Sequence, residues 1–310
     1  MKVIFVESKD TFQKSQLDKL IAKMHLSPAD LIFLESQNDI NSADKIFSSD
    51  EEKILGLAPE IVNWEFKNET IDKIKNLKGV CLATTSYNWV DGAYLKKKGI
   101  PLTNSPHYST EAVAEHAIFL MLSIARKIPL IIDNKWELDY KEHIGFEVKG
   151  KTMGIIGLGS IGSRIAEIGA AIGMDVIYWS KNSKNKNYKY VELNDLFNLS
   201  DFIFPTYALN DETKQIINKH RINLMKPTAS LVNVVSIDIY DYKYLFKKIE
   251  SNELYGLGAD DKKHKRLKNL NILVSPDMAW YTKESLERNI NIWIESILSV
   301  YTENLINVVN

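Results

Sequence analysis

The run Gly157-Leu158-Gly159-Ser160-Ile161-Gly162 has the spacing GxGxxG. Spacing alone is a weak signal, and context decides it. The run follows an apolar stretch at 152–156 that reads as a strand, and it opens a segment at 163–172 that reads as a helix. In that setting each glycine has a task. The first makes the tight turn, the second lets the backbone approach a pyrophosphate, and the third lets helix and strand pack closely. Ser160 and Ile161 then begin a helix whose free N–H groups and dipole attract phosphate. Roughly 20 residues further on, the end of the next strand reads the ribose of a bound dinucleotide. That strand ends Tyr178-Trp179-Ser180-Lys181. An acidic residue there would bind the 2′-hydroxyl of NAD(H) and repel a 2′-phosphate. Ser180 and Lys181 offer a hydroxyl and a cation instead, with Lys184 close behind, so the residues favour NADP(H) over NAD(H). The same lysines also fit a solvated loop in a lysine-rich chain.

Such a cradle needs a parallel sheet covered by helices, and the chain has the alternation that builds one. Apolar runs at 3–6, 60–66, 80–84 and 101–103 read as strands; amphipathic segments at 11–24, 69–77 and 90–98 read as helices. Ser109 and Thr110 can cap a long helix running to about 127, striped by Val113, Ala117, Leu120, Met121 and Ile124. It suits a domain connector, a subunit interface, or both. Strands follow at 152–157, 175–179, 201–205, 229–234, 254–259 and 271–274. A last helix at 283–300 carries Trp293, Ile294, Ile297 and Leu298 on its apolar side. The fold class is α/β, with two doubly wound parallel sheets.

At 310 residues the chain is long enough for two domains. Its 39 Lys and Arg balance 40 Asp and Glu for a net charge of −1, and no basic block stands out, which argues against a nucleic-acid partner. The one cysteine, Cys81, excludes a disulfide framework and fits a reducing compartment. It lies in an apolar run and reads as a small buried hydrophobe. The opening Met1-Lys2-Val3-Ile4-Phe5-Val6 is strand-like and too short for a signal peptide's apolar region. No apolar stretch approaches the ~18 residues that span a bilayer. These features predict a cytoplasmic protein with no membrane partner. The histidines show no metal-ligand spacing, so no metal is expected. Arginine occurs only at Arg126, Arg164, Arg221, Arg266 and Arg288. Chemistry that needs a planar guanidinium must draw on those positions.

Over nearly its whole length the chain resembles the D-2-hydroxyacid dehydrogenase family, which includes glyoxylate/hydroxypyruvate reductases and phosphoglycerate dehydrogenases. The segments that carry the resemblance run in the family's order. They are 83–91 (ATTSYNWVD), 104–116 (NSPHYSTEAVAEH), the glycine fingerprint, 224–227 (LMKP), 231–233 (LVN), 256–260 (GLGAD) and 276–280 (PDMAW). The resemblance implies a Rossmann dinucleotide-binding domain over 105–279. It implies a flavodoxin-like substrate domain from 1–104 and 280–310, an active site in the cleft between them, and a homodimer. It also implies a substrate loop at Thr85, Ser86 and Tyr87, with Tyr108 and Trp280 facing the substrate. Thr206 and Asp260 would lie near the cofactor, Asp260 at the nicotinamide amide.

The departures fall where the chemistry belongs. Family enzymes clamp the substrate carboxylate with an Arg, exchange the proton through a His, and orient that His with a Glu. The aligned residues here are Ser236 for the Arg, Asp277 for the His and Lys263 for the Glu. Ser236 cannot form a bidentate carboxylate clamp. Loss of a positioned acid/base slows a reaction by roughly 10²–10⁴-fold. If the geometry is kept, Lys263 and Asp277 can meet as a charge-exchanged pair, Lys263 holding an anionic substrate and Asp277 acting as acid/base. His107 and His264 are further proton sources. The run from Asp260 to Arg266 reads equally as a solvated loop. The leading function is an NAD(P)-dependent oxidoreductase acting on a small anionic substrate, 2-oxo or 2-hydroxy acid-like, with a non-standard acid/base set. A non-catalytic dinucleotide-binding homologue, or different chemistry on the same scaffold, remains open.

Overall fold

In a computed structural model the chain divides into two units, Met1–Ser109 with Lys283–Asn310, and Thr110–Thr282. All residues are described except Asp211, Gln215 and 264–266. In the first unit β1 (Lys2–Val6), β2 (Leu31–Phe33), β3 (Lys53–Leu57), β4 (Leu77–Leu82) and β5 (Leu102–Thr103) pair in parallel, in the order β2-β1-β3-β4-β5. That is the flavodoxin-like order. A parallel sheet is buried on both faces, and β1 divides its side chains accordingly. Val3 and Phe5 join one core cluster, Ile4 and Val6 the other.

The helix Lys283–Tyr301 covers the Val3/Phe5 face. Its fully buried Trp293 meets Phe5 edge-on at 5.3 Å and stacks on Phe12 at 5.6 Å between ring centroids. The indole N–H donates to the Cys81 carbonyl at 2.8 Å. Gly56 in β3 permits this approach, because a Cβ there would stand 2.8 Å from the Trp293 ring. Cys81 is buried as expected, and burial pushes its thiol up to about 12.

The strand expected at 60–66 does not form. Asn63 and Trp64 adopt positive φ, 50° and 59°, which strand backbone excludes. The apolar run there is a loop, with Phe66 making one isolated bridge to Val90. The strands actually present are β2, which has three residues, and β3, which lacks alternation because all five of its residues are buried.

In the second unit β6 (Thr152–Ile156), β7 (Asp175–Trp179), β8 (Lys189–Tyr190), β9 (Phe202–Pro205), β10 (Ser230–Asn233), β11 (Gly256–Asp260) and β12 (Ile272–Ser275) form one parallel sheet. Its order is β12-β11-β10-β9-β6-β7-β8. The chain winds outward from β6 to β7 and β8, then crosses to β9 and winds the other way. This is the doubly wound Rossmann pattern, and it leaves a crevice beyond the carboxyl ends of β6 and β9. The helix Thr110–Ala125 packs on this sheet with Ala114, Ala117, Leu120 and Met121 buried. It comes close enough to β11 that a Cβ on Gly258 would lie 2.9 Å from the Leu120 Cβ.

Candidate functional site

The glycine run sits at the β6–β9 switch point. Gly157 turns the chain at φ +95°, its N–H donating to the Trp179 carbonyl at 2.8 Å. Gly159 caps the helix Ser160–Ala171, and a Cβ on it would meet nothing within 4 Å. The backbone there is open to an incoming group. At Gly162 the reverse holds: a Cβ would stand 2.2 Å from the Gly157 carbonyl oxygen and 2.5 Å from Thr206 Oγ1. Helix, turn and the end of β9 are therefore in close contact at this point. The Thr206 hydroxyl donates to the Gly157 and Ile156 carbonyls, so it fastens β9 to the turn. An open second glycine, a close-packed third, and first helical residues at Ser160 and Ile161 fit a pyrophosphate at the helix N-terminus.

Ser180 and Lys181 follow β7, on one side of β6. The Ser180 hydroxyl accepts the Ser183 N–H at 3.1 Å. Lys181 Nζ lies 2.6 Å from Glu212 Oε2, in the loop after β9 on the other side of β6. This bond holds the Glu212 carboxyl below its usual range.

Three adjacent strands lead to Ser236, Lys263 and Asp277. Past β10, the Asn233 amide donates to the Val235 carbonyl at 2.8 Å and shapes the turn into Ser236. Ser236 caps a short 3-10 turn, accepting the Asp238 N–H at 3.3 Å. Past β11, Lys263 Nζ lies 3.1 Å from Asp238 Oδ2. Past β12, Asp277 pairs with Lys262, Nζ to Oδ2 3.7 Å. The structure thus does not bring Lys263 to Asp277. Lys262 takes that place, because consecutive side chains of this loop turn to neighbours on opposite sides, and Lys263 joins the β10 loop instead. His264 and Arg266 lie outside the described residues. Asp238, Tyr240 and Asp241 also line a cavity of about 840 Å³ with Asn210, Lys214 and Asn218.

Asp260 is almost wholly buried and holds the turn that carries Asp277. Its Oδ1 accepts from Met278 N–H at 2.9 Å and from the Ser275 hydroxyl at 2.5 Å; its Oδ2 accepts from Ala279 N–H at 2.8 Å. Asp277 itself takes φ +56°. His116 Nε2 lies 2.7 Å from the Ser275 hydroxyl and 3.7 Å from Asp260 Oδ1. Because Ser275 gives its proton to the carboxylate, His116 Nε2–H is the donor to Ser275. Burial pushes the imidazole below its ordinary value against the opposing pull of Asp260. Trp280, next in the chain, packs edge-on against Tyr281.

In the first unit the loop after β4 exposes Thr85, Ser86 and Tyr87. Thr85 Oγ1 donates to the Ser105 carbonyl at 2.9 Å, and the Trp89 indole to the Ser86 carbonyl at 2.9 Å. His107 adopts φ +61°, and the buried Tyr108 has its carbonyl held by Arg288 Nε at 2.9 Å. Arg164 is committed to Glu111 and Glu167, and Arg221 to Asn194 and the Ile216 carbonyl.

Sequence reasoning missed His116, Ser275, Asp238 and Lys262, and the bond from Glu212 to Lys181. A histidine on an otherwise apolar helix was the available signal for the first. The others rest on distances between loops. Among the described residues no cluster of His, Cys, Asp and Glu could hold a metal ion, and no helix is long and apolar enough to cross a membrane.

A family model, the NAD binding domain of D-isomer specific 2-hydroxyacid dehydrogenases, matches residues 118–282. A hydroxypyruvate reductase of Blautia hydrogenotrophica is 30% identical, over 92% of this chain and 97% of that one. One from Thermotoga maritima is 30% identical, over 82% and 88%. Among solved structures, an acyclic imino acid reductase in complex with NADPH and D-Arg aligns over 100% of both chains, with 28% identity and a TM-score of 0.83.

Proposed function

The chain belongs to the D-isomer specific 2-hydroxyacid dehydrogenase family, and on that basis we propose that it moves a hydride between a nicotinamide dinucleotide and a small 2-oxo or 2-hydroxy acid. The glycine cradle at the β6–β9 switch point carries this reading. A bound NAD(P)H supplies the hydride. The chain's own residues bind and orient: Gly157, Gly159, Ser160, Ile161 and Gly162 take the pyrophosphate, Thr206 fastens the turn beside it, and Asp260 lies toward the nicotinamide amide. The exposed loop Thr85–Ser86–Tyr87, with Tyr108 and Trp280, takes the substrate. Asp277 stands at the altered proton-transfer position with His107 as a further proton source, while Lys263 lies with Asp238 on the Ser236 side. Ser180 and Lys181 favour NADP(H). The protein works in the cytoplasm as a homodimer, joined through the exposed apolar residues Phe119 and Leu122 on the helix Thr110–Ala125 with Trp136 and Ile144 beyond it.

The test is dinucleotide titration followed by NADPH oxidation with hydroxypyruvate and glyoxylate. We expect turnover, reduced about 10²-fold or more in Asp277→Ala. Tight dinucleotide binding without turnover on any 2-oxo acid would leave a non-catalytic dinucleotide-binding protein.

The Lys262–Asp277 ion pair favours a second reading. Hydride addition to a carbonyl leaves an alkoxide that needs a proton, whereas addition to a protonated imine gives a neutral amine and needs none. A carboxylate also stabilises the cationic C=N group. The solved imino acid reductase is consistent with this chemistry. Turnover that appears only when an amine is added to the 2-oxo acid would select it.

A further inference from the structure

β6 lies between β7 and β9, so loops after β7 and β9 flank the fingerprint on either side. Lys181 belongs to the first loop and Glu212 to the second, and their ion pair at 2.6 Å joins the two across the end of β6. Neither end is loose. The Glu212 N–H donates to Asn210 Oδ1 at 3.0 Å, and Thr213 Oγ1 donates to the Ala208 carbonyl at 2.7 Å. Ser180, beside Lys181, accepts the Ser183 N–H and retains a hydroxyl that can donate to an oxyanion. Both charged side chains are largely exposed, at 66% and 73%, so the pair is screened and readily exchanged.

The residues that meet the adenosine ribose in this sheet geometry are those at the end of β7. A ligand with a 2′-phosphate would bring about two negative charges to Lys181, where Glu212 brings one. We infer that the Lys181–Glu212 pair is a clasp over the adenosine end of the site and that Glu212 is a specificity-determining residue. Glu212 holds the lysine in reach of the ribose. A 2′-phosphate takes the lysine from it, and NAD(H) leaves the pair closed. Glu212 therefore competes with the phosphate and moderates the preference for NADP(H). This inference rests on the NADP(H) reading above, and adds a role for an acidic residue that the reading does not use.

The experiment measures binding, independently of turnover. NADPH, NADH, 2′,5′-ADP and 5′-AMP are titrated calorimetrically into the full chain, its Glu212→Gln variant and its Lys181→Ala variant, at low and high salt. With the competing carboxylate removed, Glu212→Gln is expected to bind NADPH and 2′,5′-ADP about fivefold more tightly. NADH and 5′-AMP should change by less than about twofold, and the gain should shrink at high salt. Lys181→Ala is expected to lose about tenfold or more for the 2′-phosphorylated ligands alone. An unchanged NADPH affinity in Glu212→Gln, with Lys181→Ala still impaired, would overturn the clasp and leave the NADP(H) reading standing. Weaker NADH binding in Glu212→Gln would also overturn it, since Glu212 would then be reading ribose hydroxyls. If no dinucleotide binds to the unaltered chain, the reading falls and the clasp with it. Thermal melts of both variants should match the parent, because an exposed pair adds little to the fold.

Discussion

Gly162 and His116 show how single side chains set the conditions for the site. A Cβ at Gly162 would collide with a carbonyl oxygen and with a hydroxyl already bonded to the turn, so neither can yield without opening the cradle. Gly162→Ala should destabilise the second unit by about 1–3 kcal/mol in denaturant unfolding and abolish dinucleotide binding in a titration. His116 is kept neutral by burial, below its ordinary value of 6.5. The unfolded chain therefore takes up that proton first as pH falls. The stability contributed by neutral His116 is complete above pH 6.5 and is lost as pH drops below it. His116→Gln retains an N–H donor for Ser275 and should flatten that slope, as read from denaturant unfolding about one pH unit on either side. The fingerprint glycines were legible in the sequence because their requirement is local. Lys262 and Lys263 were not separable there, since adjacent lysines in an exposed loop differ only in which neighbouring loop each one meets.

At the scale of elements, periodicity identified the long helices and most strands of the second unit. It failed for β2 and β3. Three residues are too few to show a period, and a strand buried on both faces has no alternation. The apolar stretch at 60–66 misled for the opposite reason: its pattern was strand-like while its backbone turns through positive φ at Asn63 and Trp64. The helix Lys283–Tyr301 is essential to the first unit although it is far away in sequence, because Trp293 fills the space that Gly56, Phe5 and Phe12 leave. Trp293→Ala should cost the first unit about 3–5 kcal/mol. Dinucleotide affinity should stay unchanged, since the cradle is built entirely within Thr110–Thr282.

At the scale of the whole molecule, each unit buries its own core, and the second leaves Phe119 at 54% and Leu122 at 41% exposure on the outer side of its longest helix. A homodimer through that face predicts that Phe119→Glu with Leu122→Lys yields a monomer in sedimentation while the thermal transition stays in place. Unchanged dimer mass would place the interface elsewhere. The sequence by itself determined the α/β class and the glycine run in its strand-to-helix setting. Each is a pattern within a short stretch of chain, set by backbone sterics or by the alternation of apolar residues. Only the tertiary structure decided that Lys263 meets Asp238 and Lys262 meets Asp277, that Asp260 secures the 276–279 turn, and that Glu212 reaches Lys181. Those pairings join loops from neighbouring strands, and strand order, a property of the assembled sheet, sets which loops are neighbours.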